Sequence, residues 1–429
     1  MAAVEQEYLT TRRIRAGHET FCPYEPNALT IMPFFTLLHR GVGRLRRLVG
    51  KSNSHQASDP MAATDPGRSF EALLHRPYDA LNAIPGRSLG ETCNDSAMIA
   101  RLLKAYQAAT AAKSVAPSAV WKMIFKTRLL PLHQILVNGD VEAVSALLQR
   151  PGDNDLFYGF DNLFRDMVNS FKDSSALEMG HAKWCQDYLV RVAEAVGALR
   201  IENPERVPIP TYGTKPNDEI LEAIENAVGC EIWFPNPYPD EFGLETKRGI
   251  ASIRAIHAIY QAWRIRELVR HLPNPRVLEL GAGLGRTAFY ARQLGIRDYT
   301  IIDLPLTGVS QGYFLMRTLG EDQVSLEGEN HSDSSAKVKI LNPTAFLEST
   351  VNYDLIVNID SLTEMDRRTA ERYWNRIEAS ASLFLSINHE ANEFAVKELI
   401  DRSSRITGRH RHPYWIRHGY VEELVSFER

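Results

Sequence analysis

The stretch from Arg276 to Asp303 constrains the fold of this chain more than any other part of the sequence. It begins with the apolar residues Val277, Leu278 and Leu280, which are typical of a strand buried on both faces. A glycine-rich turn, a segment with helical spacing and a second apolar strand follow in that order. This succession predicts a parallel α/β sheet, in which ligands bind beyond the carboxyl ends of the strands.

The glycine-rich turn does not have the spacing of a dinucleotide site. Its pattern is Glu279-x-Gly281-x-Gly283-x-Gly285, so the third glycine comes one residue early for G-x-G-x-x-G. Arg286 stands where that fingerprint requires a glycine or alanine. The pattern instead resembles motif I of the class I S-adenosylmethionine (SAM) methyltransferases. A purely structural turn between a strand and a helix is the alternative.

The resemblance to motif I implies a SAM site with four kinds of contact. It places Glu279 near the methionine part of SAM, and Asp303 at the ribose. The backbone N–H groups of the glycine turn would meet the methionine carboxylate at the start of a helix. Asn342 departs from the common pattern, in which an acid lies near the adenine, but an Asn still donates and accepts hydrogen bonds. We also expect Asn358, near the end of a later strand, to contact the cofactor.

Strands and helices continue to alternate after Asp303, which predicts a mostly parallel sheet with helices on both faces. The resemblance implies a Rossmann-like class I methyltransferase sheet of seven strands, with the last one antiparallel. The sequence places the closing strands at Tyr414–Ile416 and Val421–Phe427. A mostly helical region precedes this α/β part.

The chain divides into three predicted regions. Residues 1–70 form an N-terminal segment rich in Ser, Pro and Gly toward its end, 71–228 a helical domain, and 229–429 the methyltransferase domain. Within the first region, residues 33–51 have the spacing of a basic amphipathic helix. Such a helix either lies on an anionic membrane surface or docks on the protein's own body.

Composition excludes some classes of function. The net charge of −4 gives no basis for a general nucleic-acid binder, which would usually be basic. The four cysteines are widely spaced and form no C-x-x-C pair, so a reducing cytoplasm is the simplest setting. The sequence has no apolar run of 18 residues, so a location in the cytoplasm is the expectation, with peripheral contact at the inner face of the membrane as the alternative that the basic amphipathic spacing leaves open.

Longer motifs narrow the resemblance. Residues 301–315, 357–365, 383–392 and 412–423 resemble a family of sugar O-methyltransferases associated with bacterial polysaccharide clusters. This resemblance implies a sugar, nucleotide-sugar or lipid-linked glycan as the acceptor, and a role in polysaccharide biosynthesis. The sequence leaves the oligomeric state open.

Methyl transfer to a sugar hydroxyl needs a base that removes the proton as the new bond forms. Asp360, Glu364 and His389 follow predicted strands and face the expected site. His389 is the first choice because its usual pKa, about 6.5, suits a base near neutral pH. Asp360 would orient His389 or bind the sugar, and its structural alternative is to cap the following turn.

Three other hypotheses compete with this one. Asp360, Glu364, His389 and Glu390 could together hold a divalent metal, although their spacing is not diagnostic. A nicotinamide dehydrogenase would share the fold, but the early third glycine argues against it. A catalytically silent module that binds a glycan or a partner is the third hypothesis.

An aromatic segment at 232–243 also has two interpretations. Its side chains include Trp233, Phe234, Tyr238 and Phe242. They would form a platform for a sugar or a lid over SAM, or else a packed loop that joins two domains.

Overall fold

The computed structural model describes residues 68–111, 118–201, 215–330 and 336–428 of the chain. The predicted amphipathic helix at 33–51, and residues 1–67 of the predicted N-terminal segment, lie outside these ranges. Among the described residues, no helix is both long and apolar enough to cross a membrane.

The described part of the region before residue 229 is mainly helical, as expected. The helix Ala119–Ile124 continues through a π-helical turn at Phe125–Leu129 into the helix Leu130–Asn138. The helices are α1 (Arg68–Glu71), α2 (Ser96–Ala111), α3 (Ala119–Ile124), α4 (Leu130–Asn138), α5 (Val141–Gln149), α6 (Arg165–Lys172), α7 (Ser175–Ala195) and α8 (Asn217–Val228).

A small antiparallel sheet joins this helical region to the rest of the chain. Strand β1 (Pro85–Leu89) pairs with β2 (Pro239–Thr246), which pairs in turn with β3 (Gly249–Ala251). One strand from before residue 228 is therefore hydrogen-bonded to a strand from after it. The division into regions at residues 70 and 228 stays a prediction.

The larger sheet has eight strands in the order β10-β11-β9-β8-β4-β5-β7-β6. Only β11 runs against the other strands, since β10 is antiparallel to β11 alone. The strands are β4 (Arg276–Leu280), β5 (Asp298–Ile302), β6 (Val324–Leu326), β7 (Val338–Leu341), β8 (Tyr353–Ile359), β9 (Ala381–His389), β10 (Ile406–Pro413) and β11 (Tyr420–Phe427). This arrangement is a Rossmann-like class I methyltransferase fold. The short edge strand β6 is added to the seven strands that the sequence predicted.

Helices cover both faces of this sheet, and alternate residues of each strand pack on opposite sides. Val277 and Val357 belong to one apolar core, whereas their neighbours Leu278 and Ile356 belong to the other. The helices are α9 (Ile253–Val269), α10 (Arg286–Gln293), α11 (Pro305–Leu319), α12 (Pro343–Leu347), α13 (Arg367–Ser380) and α14 (Val396–Ile400).

The penultimate strand lies earlier in the chain than predicted. It is β10, at Ile406–Pro413, and Tyr414–Ile416 lies in the loop between β10 and β11. As an edge strand β10 is largely exposed and rich in Arg and His. It therefore lacks the apolar alternation from which a strand is predicted, whereas the buried Tyr414 and Ile416 imitate one.

Candidate active site

A cavity lies beyond the carboxyl ends of β4, β5 and β8, where the parallel sheet predicts a ligand. Its empty space, with the open solvent at its mouth included, is about 1490 Å³. Ser118, Trp121 and residues 159–161 of the helical region form part of its wall. The cavity brings together six of the predicted site residues: Glu279, Gly281, Gly283, Asp303, Asp360 and Glu364.

The glycine turn packs closely against the loop that follows β8. Gly281 has a φ of +71°, a left-handed conformation that glycine adopts at no steric cost. Its N–H donates to the carbonyl of Ile302 at 2.9 Å. A Cβ at this position would lie 2.5 Å from Cβ of Ser361, so a side chain does not fit. The turn needs glycine here for both conformation and space.

Asp303 connects the glycine turn to the end of β5. The N–H of Ala282 and the amide of Gln311 donate to its Oδ2 at 3.0 and 2.6 Å, and the N–H of Leu304 donates to Oδ1 at 2.8 Å. These three bonds use most of the roughly four acceptor positions of a carboxylate and leave about one for a ribose hydroxyl. Burial raises the pKa of Asp303 to about 6, although the three hydrogen bonds act in the opposite direction.

Glu279 is buried at the base of the cavity, with only 1% of its surface exposed. The hydroxyl of Tyr299 donates to its Oε2 at 2.9 Å. Burial raises the pKa of Glu279 to about 7, because its charged form is desolvated there. It is therefore partly protonated near neutral pH and can donate as well as accept a hydrogen bond.

Arg286, the residue that separates this turn from the dinucleotide fingerprint, fastens the turn to the rest of the protein. Its Nε donates to Asp161 at 3.2 Å, and its Nη2 lies 2.7 Å from a carboxylate oxygen of Glu241. All three side chains are buried. Asp161 also lines the cavity, so this ion-pair cluster attaches the helical wall to the start of α10.

Asp360 lines the cavity and directly follows the end of β8. It has a φ of +56°, which is uncommon for a residue with a side chain and often marks a functional position. Its Oδ2 accepts from Arg417 at 3.1 Å and from the hydroxyl of Tyr420 at 2.8 Å. Burial alone would raise the pKa of Asp360, but the charges of Arg417 and Arg254 outweigh it, so the pKa is lowered. Asp360 is thus a fixed anion.

Glu364 lies on the same wall, but its pKa is raised where that of Asp360 is lowered. Burial, and then the charge of Asp360, raise the pKa of Glu364 to about 8. The indole N–H of Trp121 donates to its Oε2 at 3.2 Å. Glu364 is therefore mostly protonated at neutral pH and becomes a carboxylate just above it.

His389 lies behind Asp360 and does not line the cavity. Its Nδ1 accepts from the N–H of Ala391 at 3.2 Å, and its Nε2 is 3.6 Å from Oδ1 of Asp360. With Nδ1 accepting, the neutral ring carries its proton on Nε2. Burial lowers the pKa of His389, and the charge of Arg417 acts in the same direction. The lone pair of Nδ1 is used by the N–H of Ala391, and Nε2 carries the proton. Neither nitrogen is therefore placed to take a proton from a hydroxyl in the cavity.

Three of the residues predicted to bind the cofactor do not line this cavity. Gly285 caps α10 in a left-handed conformation, and its N–H donates to the carbonyl of Ala282. Asn342 caps α12 by accepting from the N–H of Ala345. Asn358 is fully buried; its amide N–H groups donate to the carbonyl of Leu280 and to the hydroxyl of Ser361, and its amide oxygen accepts from the N–H of Leu362. Direct contact of these residues with a cofactor remains a prediction.

Several cavity residues carried no signal in the sequence. Arg417 and Tyr420 hold Asp360, Trp121 holds Glu364, and Arg254 and His257 project from α9. They come from three widely separated segments of the chain, and no local motif joins the three. The aromatic residues at 232–243 do not contribute, because Phe234, Tyr238 and Phe242 are buried and the half-exposed Trp233 lies outside the cavity wall. The packed interpretation of that segment fits these positions.

The metal hypothesis finds no matching geometry. In the described ranges, no group of three His, Cys, Asp or Glu side chains is arranged to hold a metal ion. Glu390 points away and forms an ion pair with Arg411 at 2.9 Å, while Asp360 faces Arg417.

Comparison with known proteins gives similarity in structure only. No protein-family model matches the chain, and no curated protein does. Magnesium protoporphyrin IX methyltransferase (ChlM) from Synechocystis PCC 6803 with bound SAM is 12% identical, with a TM-score of 0.30, over 40% of this chain and 79% of that one. The glycopeptide N-methyltransferase MtfA complexed with S-adenosylhomocysteine is 14% identical, with a TM-score of 0.29, over 39% and 90%. The methyltransferase domain of a bacterial CtHen1 is 8% identical, with a TM-score of 0.31, over 40% and 100%.

Proposed function

We propose that this protein is a SAM-dependent O-methyltransferase that transfers a methyl group to a hydroxyl of a sugar or glycan. The observation that carries the proposal is a single cavity that runs from Asp303, past the glycine turn, to Asp360 and Glu364. The resemblance of the motifs after β5 to sugar O-methyltransferases supports the class of acceptor. A cytoplasmic role in polysaccharide biosynthesis belongs to the same proposal.

The residues at the Asp303 end of the cavity suit SAM better than a dinucleotide. Asp303 retains room for one hydrogen bond from a ribose hydroxyl, and the start of α10 supplies N–H groups for a carboxylate. Arg286, which is held by its ion pairs with Asp161 and Glu241, occupies the position of the third glycine of the dinucleotide fingerprint. Bound SAM supplies an electrophilic methyl group for in-line transfer to a hydroxyl.

The other end of the cavity has a group that can take the proton of the acceptor. Glu364 lines the cavity, and with a pKa raised to about 8 it is a stronger base than an ordinary carboxylate. Asp360, held by Arg417 and Tyr420, can orient a second hydroxyl of a sugar. Of the three predicted catalytic residues, we therefore assign the base to Glu364 and a supporting role to His389.

The silent-module hypothesis is less well supported, because it gives no reason for a strained Asp360 or for a carboxyl with a raised pKa inside the cavity. Both are features that enzymes concentrate at reacting groups.

Methyl transfer can be tested directly. Purified protein would be incubated with methyl-labelled SAM and fractionated glycans, nucleotide-sugars and lipid-linked glycans, with and without a chelator. We expect one fraction to become labelled. The labelling should be the same with the chelator present and should be absent when Glu364→Gln replaces wild type. An active chain whose turnover is unchanged in Glu364→Gln would contradict the assignment of the base. Absence of label from every fraction would favour the silent module.

A further inference from the structure

The cavity contains a cation that has no partner among the described residues. Arg254 lies in the first turn of α9 and lines the cavity wall. Within the described ranges, its guanidinium makes no hydrogen bond, and no carboxylate lies within ion-pair distance. Burial, followed by the charge of Arg417, lowers the pKa of Arg254. Burying a charge of this kind costs free energy unless an anion pairs with it.

A second unpartnered group lies one turn further along the same helix. His257 lines the cavity and is only 5% exposed, and its Nε2 has no hydrogen-bond partner among the described residues. Burial and the charges of Arg417 and Arg254 lower its pKa well below the usual value, so the ring is neutral. A neutral imidazole can donate one N–H to an anion that Arg254 holds.

The neighbouring acids already have other partners. Asp360 accepts from Arg417 and Tyr420, and Asp161 and Glu241 pair with Arg286. Glu364 is mostly protonated at neutral pH because its pKa is raised to about 8. None of these carboxylates therefore serves as the close counter-ion of the guanidinium on α9.

Arg254 lies close to the proposed base and away from the proposed ribose site. Its charge acts on Asp360 and Glu364, which follow β8, and also on Asp161, which pairs with Arg286 at the start of α10. Asp303, the proposed ribose ligand, follows β5, and β4 separates β5 from β8 in the sheet. An anion at Arg254 would therefore lie beside the proposed base.

We propose that Arg254, His257 and Arg417 form a subsite for an anionic group of the acceptor, so that the sugar carries a carboxylate or a phosphate near the methylated hydroxyl. The inference rests on the proposed function and names its class of substrate. A planar guanidinium binds either anion through two parallel hydrogen bonds, which fixes the orientation of the sugar as well as its charge.

The test uses inorganic phosphate as the probe and separates this inference from the proposed function. Phosphate would be titrated into protein saturated with S-adenosylhomocysteine and followed by calorimetry. We expect saturable binding that weakens by about tenfold or more in Arg254→Met and by less in Arg254→Lys, which keeps the charge but loses the paired hydrogen bonds. Arg270→Met is the matched control, since Arg270 directly follows α9 and its side chain is 73% exposed.

Two further titrations decide the remaining outcomes. S-adenosylhomocysteine and 5′-methylthioadenosine, which lacks the amino-acid part, would be titrated into wild type and Arg254→Met. Equal affinities in the two proteins support the acceptor subsite. A loss for S-adenosylhomocysteine alone would assign Arg254 to the cofactor carboxylate and overturn the inference. Wild type that binds S-adenosylhomocysteine but not phosphate would also overturn it, whereas failure to bind S-adenosylhomocysteine would count against the proposed function itself.

Discussion

Replacing Gly281 with alanine should destabilise the protein more than the same change at Gly283, two residues away. Both glycines have a positive φ, +71° and +57°, and an alanine in that region costs about 1–2 kcal/mol. At Gly283 the nearest atom to a new Cβ is the carbonyl oxygen of Phe160 at 3.3 Å, a tight but tolerable distance. Gly283→Ala is therefore expected to cost little beyond the backbone term.

At Gly281 the new Cβ would overlap Ser361, whose own Cβ would be 2.5 Å away. Ser361 cannot retreat freely, because its hydroxyl donates to the carbonyl of Leu280 at 2.8 Å and accepts from the amide of Asn358 at 2.6 Å. Losing both bonds costs about 0.5–1.5 kcal/mol each. Together with the backbone term, Gly281→Ala should lower the free energy of unfolding by about 2–5 kcal/mol.

Equilibrium unfolding in urea measures both variants against wild type, with Gly283→Ala as the matched control. In the double variant Gly281→Ala/Ser361→Gly the new Cβ no longer overlaps a side chain at position 361. Each single change loses the two hydrogen bonds of the Ser361 hydroxyl, and the double variant loses them only once. Its cost should therefore be smaller than the sum of the single costs by about 1–3 kcal/mol. Equal costs at Gly281 and Gly283, or strict additivity in the double variant, would refute this account of the turn.

Three more outcomes follow from the buried charges. The raised pKa of Glu364 means that the folded state keeps a proton that the unfolded state releases above about 4.5, so the free energy of unfolding should fall as pH rises toward about 8. Urea unfolding across this range should show a smaller fall in Glu364→Gln, and an unchanged slope would contradict the assignment. In Trp121→Phe the indole donor is lost, so the fall should extend to higher pH in the same series. Arg286→Met leaves Asp161 and Glu241 buried without their cation and should lower the free energy of unfolding by about 3–5 kcal/mol; a loss below about 1 kcal/mol would show that the cluster is solvated.

The sequence predicted the part of the site that is continuous in the chain. The apolar strand, the glycine turn and the acid at Asp303 form one local pattern, and each element lies where the pattern placed it. Asp360 and Glu364 were also located, because a parallel sheet brings the carboxyl ends of its strands to one edge. In these cases short-range spacing and one topological rule determine the position.

The opposite wall of the cavity depends on contacts over long separations in the chain. Trp121 reaches Glu364 across 243 positions, and Arg417 reaches Asp360 across 57. No periodicity or motif encodes such pairings, so these residues could not be predicted. Arg254 lies on an ordinary helix, and what distinguishes it is the lack of a partner in the part of the chain that the structure describes.

Two predicted roles show what sequence position alone leaves undetermined. His389 was the first choice as base because it follows a parallel strand, yet its side chain turns behind Asp360. Asn358 also lies near a strand end, but it is fully buried and hydrogen-bonded within the loop. The end of a strand fixes where the backbone is. The direction of the side chain depends on packing against later elements, such as Tyr420 on β11.

The central claim is that the cavity holds SAM with its ribose at Asp303. Calorimetric titration of S-adenosylhomocysteine into wild type and Asp303→Ala tests it most directly, with Asp322→Ala as an exposed control that lies outside the cavity wall. The account predicts micromolar binding to wild type and to the control, and no measurable binding to a folded Asp303→Ala. Absence of binding by folded wild type, or equal binding by all three proteins, would contradict it.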